Sequence, residues 1–168
     1  MPEENINVIS DEHYSALGKV AACWALFESG IDFQSWKMAG LPSDAGACFT
    51  AQIMGPAKKL DVLVSLLNLF EFSETATALN KMGDKIRGLG DERNRALHDM
   101  WLADEETGQP HRYEISARKT VKINTISVST DQLLDLSVRI LAQYDAFEAI
   151  MDGVVSPMRS SLERPQEG

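Results

Sequence analysis

The chain has 168 residues, 44% of them hydrophobic, which is enough to fill one core of ordinary size without disulfides or metals. Its net charge of −9 and pI near 4.8 repel phosphates on average, which excludes a general nucleic-acid coat protein and leaves only a local basic patch as a route to RNA. The two cysteines, Cys23 and Cys48, form no C-x-x-C pair and sit among apolar or small residues, so both are expected to be buried, reduced thiols rather than zinc ligands. Pro2, Glu3 and Glu4 open the chain without the features of a secretory signal, and no run approaches about 18 apolar residues. A cytoplasmic protein with no membrane partner and no cofactor is expected.

Ser10 or Asp11 can cap a first helix whose apolar positions Tyr14, Leu17, Val20, Ala21, Trp24 and Phe27 recur at helical spacing, with Gly30 as its stop. Residues 31–49 carry Asp32, Gly40, Pro42, Asp44 and Gly46 and predict a loop holding one short helical turn over 33–38. A second helix starts at Thr50 or Pro56 and runs to about Phe70, with Leu60, Leu63, Leu67 and Phe70 as its stripe. Ser73 and Glu74 open a third, expected to reach about Ala103. Its three glycines, Gly83, Gly88 and Gly90, predict a bend or close helix packing.

After a turn-rich stretch at 105–110, Tyr113, Ile115, Ala117, Val121, Ile123, Ile126 and Val128 alternate with polar residues, which predicts a β-hairpin over 111–128 turning near Lys119. Ser129 and Gln132 make a capping box for a last helix with Leu133, Leu136, Ile140, Leu141, Tyr144, Phe147 and Ile150 on its apolar face. The expected architecture is a mainly α, up-and-down bundle of four to five helices with a small β-hairpin before the last one. Residues 1–156 form one domain in this reading, and 157–168 a disordered tail.

The chemistry lies on the third helix. One stripe runs Met82, Ile86, Leu89, Arg93, Ala96 and Met100, so Arg93 occupies a core-like position where a lone guanidinium is costly and an anionic partner is expected. Glu28 is the candidate partner. A second stripe runs Arg87, Asp91, Asn94, His98 and Trp101, which places Asn94 and His98 side by side, while Arg93 and His98 point about 140° apart. A histidine can take a proton from a ribose 2′-hydroxyl, an arginine can hold charge on phosphate, and an amide can orient either, which together suit phosphodiester cleavage without a metal. His13, His98 and His111 lie far apart in sequence and show no zinc spacing. Lys58, Lys59, Lys81, Lys85, Arg87 and Arg95 are candidates for a basic rim, and Arg112, Arg118, Lys119 and Lys122 make the hairpin basic, mostly as solvated surface charges.

The run Arg93-Asn94-Arg95-Ala96-Leu97-His98, an R-N-x-x-x-H on a helix, resembles the signature of the HEPN superfamily. That resemblance implies a helical bundle, commonly dimeric, with the arginine and histidine of both protomers meeting across the interface. It implies, for active members, a metal-independent endoribonuclease of toxin or defence type that leaves 2′,3′-cyclic phosphate ends, and other members lack nuclease activity. On this basis Arg93, Asn94 and His98 are the expected catalytic residues, and Arg95, Arg87 and Trp101 the expected substrate contacts. A homodimer, an RNA substrate and a protein antitoxin are the expected partners. The alternative is a catalytically inactive helical dimer that binds or regulates a protein.

Overall fold

Helical periodicity carries most of the chain into the structure, a computed structural model that describes residues 9–116 and 121–154. Five helices, α1 (Asp11–Ala39), α2 (Ser43–Thr50), α3 (Pro56–Leu69), α4 (Ser73–His98) and α5 (Thr130–Met151), are joined by strands β1 (Met100–Ala103), β2 (Pro110–Ser116) and β3 (Lys122–Ser127). The strands form an antiparallel sheet in the order β1-β2-β3, inserted before the last helix. The fold is thus mainly helical with a small sheet. No described helix is long and apolar enough to cross a membrane.

The described residues divide into two compact units. The first comprises those up to Trp24 together with Leu89–Ile140, and the second Ala25–Gly88 with those from Leu141 onward. Helices α1, α4 and α5 therefore contribute residues to both. Val20, Trp24, Leu89, Ala96, Leu133, Leu136 and Ile140 are buried in the first unit, and Phe27, Ile31, Leu60, Leu63, Leu67, Ile86 and Phe147 in the second. These are the stripes that steps of three and four select.

Capping side chains fix the starts of α1 and α5. Ser10 is the cap of α1, its Oγ accepting from the His13 N–H at 3.2 Å. At α5 the box is reciprocal: the Ser129 N–H donates to Gln132 Oε1 at 2.8 Å and the Gln132 N–H to Ser129 Oγ at 3.2 Å. Pro56 is a first-turn proline, which settles the start of α3 in favour of the later of the two sites.

Three expected boundaries are corrected. Helix α1 does not stop at Gly30 but runs to Ala39. Gly30 is buried, and a Cβ there would lie 2.8 Å from Tyr144 Cε2, so this glycine permits close packing in the second unit. The stop is Gly40 at φ 65°, where the Leu41 N–H bonds back to the Trp36 carbonyl at 2.9 Å and Pro42 follows. Residues 43–50, expected as loop, form α2. Gly46 lets that helix lie against Trp36, since a Cβ at Gly46 would fall inside the indole, and Trp36 Nε1 donates to Thr50 Oγ1 at 3.2 Å. Gly46→Ala is expected to destabilise the protein by about 1–3 kcal/mol through overpacking, read from a urea melt.

The third correction is at the end of α4, which stops at His98 rather than Ala103. Met100 and Trp101 instead pair with Tyr113 and Arg112 of β2, making a third strand where a two-stranded hairpin was expected. The following turn is built on Asp104, whose Oδ1 accepts from the Glu106 N–H at 3.1 Å and from the Thr107 N–H at 2.8 Å, with Gly108 at φ 67°. The expected turn near Lys119 and the expected tail at 157–168 lie outside the described residues.

Candidate functional site

Arg93, Asn94 and His98 all belong to the first unit and to the last two turns of α4. Met82, Ile86, Leu89 and Ala96 of the stripe are buried, as their spacing predicts, and Arg93 interrupts it half-buried, whereas Met100, expected as its last position, lies exposed on β1 because the helix ends first. The Arg93 guanidinium carbon lies 6.0 Å from the centroid of the buried Trp24 ring, and its Nη1 donates to Asn94 Oδ1 at 3.0 Å. Its Nε is buried without a hydrogen-bond partner. Asn94 and His98 are exposed, and His98 is the last residue of the helix. Gly90, one turn before Asn94, is the glycine of close packing: a Cβ there would meet Trp24 Cη2 at 3.1 Å.

Glu28 is not the partner of Arg93. Its carboxylate lies 3.1 Å from Lys59 Nζ in the second unit, and Asp32, one turn further along α1, reaches the same ammonium at 2.8 Å. Among the described residues Arg93 forms no ion pair. Lys59 is correspondingly no part of a basic rim, since it is 7% exposed. Burial alone would lower its pKa, but the hydrogen bonds to Asp32 and Glu28 and the charges of both carboxylates outweigh that and hold it above the ordinary lysine value.

The expected substrate contacts scatter. Arg87 is exposed, pairs with Asp84 and belongs to the second unit. Arg95 pairs with Glu114 at 3.3 Å. Trp101 is on β1 rather than on the stripe of Asn94 and His98, because the helix ends before it. Its Nε1 donates to the Ala96 carbonyl at 2.8 Å, satisfying an acceptor that the helix end leaves open, and its ring meets that of His13 edge-on at 4.6 Å between centroids. Cys48 is exposed, contrary to expectation, and Cys23 is buried as expected.

His13, which no sequence motif singles out, is fully buried, with Nδ1 3.3 Å from Thr130 Oγ1 and Nε2 unpartnered. Burial lowers its pKa below the usual 6.5. The unfolded chain therefore binds the proton more readily, so this residue's contribution to stability is complete above about pH 6.5 and declines as the pH falls below it. The wild-type melting temperature is expected to drop between about pH 6.5 and pH 5, above most carboxylate titration, and His13→Gln to remove most of that slope. Equal slopes for the two proteins would show that His13 is not the group responsible.

A concave feature of the first unit, apart from Arg93, Asn94 and His98, was not legible from spacing. It is a cleft of about 380 Å³ to which α4 contributes Glu92, Arg95 and Ala96, the sheet Trp101 and Arg112, and α5 residues from Gln132 to Arg139. Arg112, expected as a surface charge of the hairpin, is 9% exposed because the central strand points it to the same side as Trp101 and Ile126, its neighbours in register. Arg139 bonds to both Glu92 and Asp135. The resulting hydrogen bond lowers the Glu92 pKa against the opposing effect of burial.

Compared with models of known protein families, with characterised proteins and with solved structures, the chain has no match in any of the three.

Proposed function

We propose that the protein is a metal-independent endoribonuclease whose reacting groups are His98 and Arg93, with Asn94 positioning the guanidinium. Arg93 carries the reading: a cation on an apolar stripe, stacked near Trp24 and bonded to Asn94, with no acidic partner among the described residues. Such a group is left to receive an anion, and a phosphodiester is the anion that a histidine of the same helix can act on once a second copy brings the two together.

In the proposed reaction His98 removes the proton of a ribose 2′-hydroxyl, and the 2′-oxygen attacks the adjacent phosphorus. The bond from phosphorus to the 5′-oxygen breaks, and an imidazolium returns a proton to that oxygen. The products are a 2′,3′-cyclic phosphate and a 5′-hydroxyl. Arg93 holds the charge that builds on the non-bridging oxygens.

Because Arg93 and His98 diverge by about 140° on one helix, the site is completed by a second copy that brings α4 of each protomer near a two-fold axis. A toxin or defence nuclease of this kind acts on RNA in the cytoplasm and has a protein antagonist.

The test is incubation of the purified protein with a mixed RNA pool in EDTA, with end analysis of the fragments and light scattering at micromolar concentration. Cleavage to 2′,3′-cyclic ends by a dimer supports the reading. A dimer that leaves the pool intact replaces it with the non-catalytic alternative, a dimer that binds or regulates a protein, and a monomer removes the completed site altogether.

A further inference from the structure

Arg112 is the buried arginine of the cleft, and it forms no side-chain hydrogen bond among the described residues. Its nearest acid, Asp99, stands 3.5 Å away, at the outer range of an ion pair, and its Nε is buried with no partner. Of the other two, Arg139 is hydrogen-bonded to Glu92 and Asp135, and Arg95, which stands 3.3 Å from Glu114, is 53% exposed in its side chain and solvated. A guanidinium that is 9% exposed and offers its fork to so little is costly to bury unless something else accepts from it.

The remaining lining sets what that something is. Ala96, Val128, Leu133 and Leu136 supply an apolar surface beside the Trp101 ring. The volume of about 380 Å³ is that of a small-molecule site. The charged lining balances, with Asp91, Glu92 and Asp135 against Arg95, Arg112 and Arg139, so a doubly charged phosphate would meet repelling carboxylates as well as arginines. A single planar carboxylate matches the guanidinium fork and brings half that charge against the acids.

We infer that this cleft binds a small monocarboxylate with an apolar or aromatic body, its head on Arg112 and its body against the Leu133 and Leu136 side. The site is independent of the proposed nuclease centre. Arg93, Asn94 and His98 do not line the cleft, although Asp91, which does, shares its stripe of α4 with Asn94 and His98.

The test is a titration of the full chain with 3-phenylpropionate, followed through the Trp101 indole N–H in nitrogen-15 NMR spectra. 3-Phenylpropanol, which lacks the charge, and inorganic phosphate, which lacks the apolar body, are the comparisons. Saturable shifts are expected with 3-phenylpropionate, and affinity weaker by about ten- to a hundredfold for either comparison compound, the ratio that a charged hydrogen bond supplies.

Arg112→Gln should weaken 3-phenylpropionate to the level of the alcohol. Val128→Phe should block the cleft while leaving Arg112 in place, so a folding defect in the first variant does not decide the question. His98→Ala should bind as wild type does, whatever its effect on RNA. No saturation up to about 10 mM, equal binding of the alcohol or the phosphate, or unchanged binding by both cleft variants would overturn the inference.

Discussion

His98→Ala is expected to lower RNA cleavage in EDTA by about 10²–10⁴-fold, the range over which a positioned acid or base contributes, while leaving the melting temperature within about 2 °C of wild type. Stability should hold because His98 is exposed at the end of α4, where its replacement opens no cavity. Arg93→Ala should cost about 10²–10³-fold, as loss of a charge-stabilising donor does, and Arg93→Lys should restore little, because an ammonium cannot reproduce a planar fork. Asn94→Ala should fall between wild type and these variants, since its oxygen orients Arg93 through one bond of 3.0 Å. The check is single-turnover cleavage of one defined RNA by each variant at matched dimer concentration. Full activity in His98→Ala would remove the histidine from the mechanism, and activity traced to a contaminating nuclease would survive every substitution equally.

The largest effect on stability is expected in the second unit, at Lys59. Its ammonium is shared by Glu28 and Asp32, which stand one turn apart on α1 and are 30% and 16% exposed in their side chains. Lys59→Met keeps the volume but leaves two neighbouring carboxylates without their cation, and Oδ1 of Asp32 already has no hydrogen bond. Breaking such a buried pair from one side costs about 3–5 kcal/mol. For a chain of this size that corresponds to a fall in melting temperature of roughly 6–20 °C.

Glu28→Gln should cost far less, about 1 kcal/mol or below, because Asp32 keeps the lysine and Glu28 is the more exposed of the two acids. The raised Lys59 pKa makes this contribution complete at neutral pH, and it is lost only as the pH climbs above about 10.4 and through the folded-state value. Thermal melts of the three proteins at pH 7 are the measurement. A Lys59→Met melt within about 2 °C of wild type would mean that solvent relaxes around the two acids and that the cluster contributes little.

Local chemistry written in adjacent residues is legible in the amino-acid sequence itself. The Ser129–Gln132 box, the first-turn Pro56 and the buried stripes of α3, α4 and α5 follow from spacing alone, because a cap or an amphipathic face is decided within one or two turns of chain. The same holds for the placement of Arg93, Asn94 and His98 on one helix.

What the sequence misplaces depends on residues far apart in the chain. Gly30 reads as a helix stop until Tyr144 is found packed on it. Trp101 reads as the next turn of α4 until β2 pairs with it, and Arg112 reads as a solvated charge until its strand becomes the centre of a sheet. Glu28 falls to Arg93 by its place on an apolar stripe, yet an ion pair goes to the cation that packing brings nearest, and that is Lys59. Tertiary structure alone decided these four, because strand pairing, close helix approach and the partnering of buried charge are set by three-dimensional neighbours that no local period encodes.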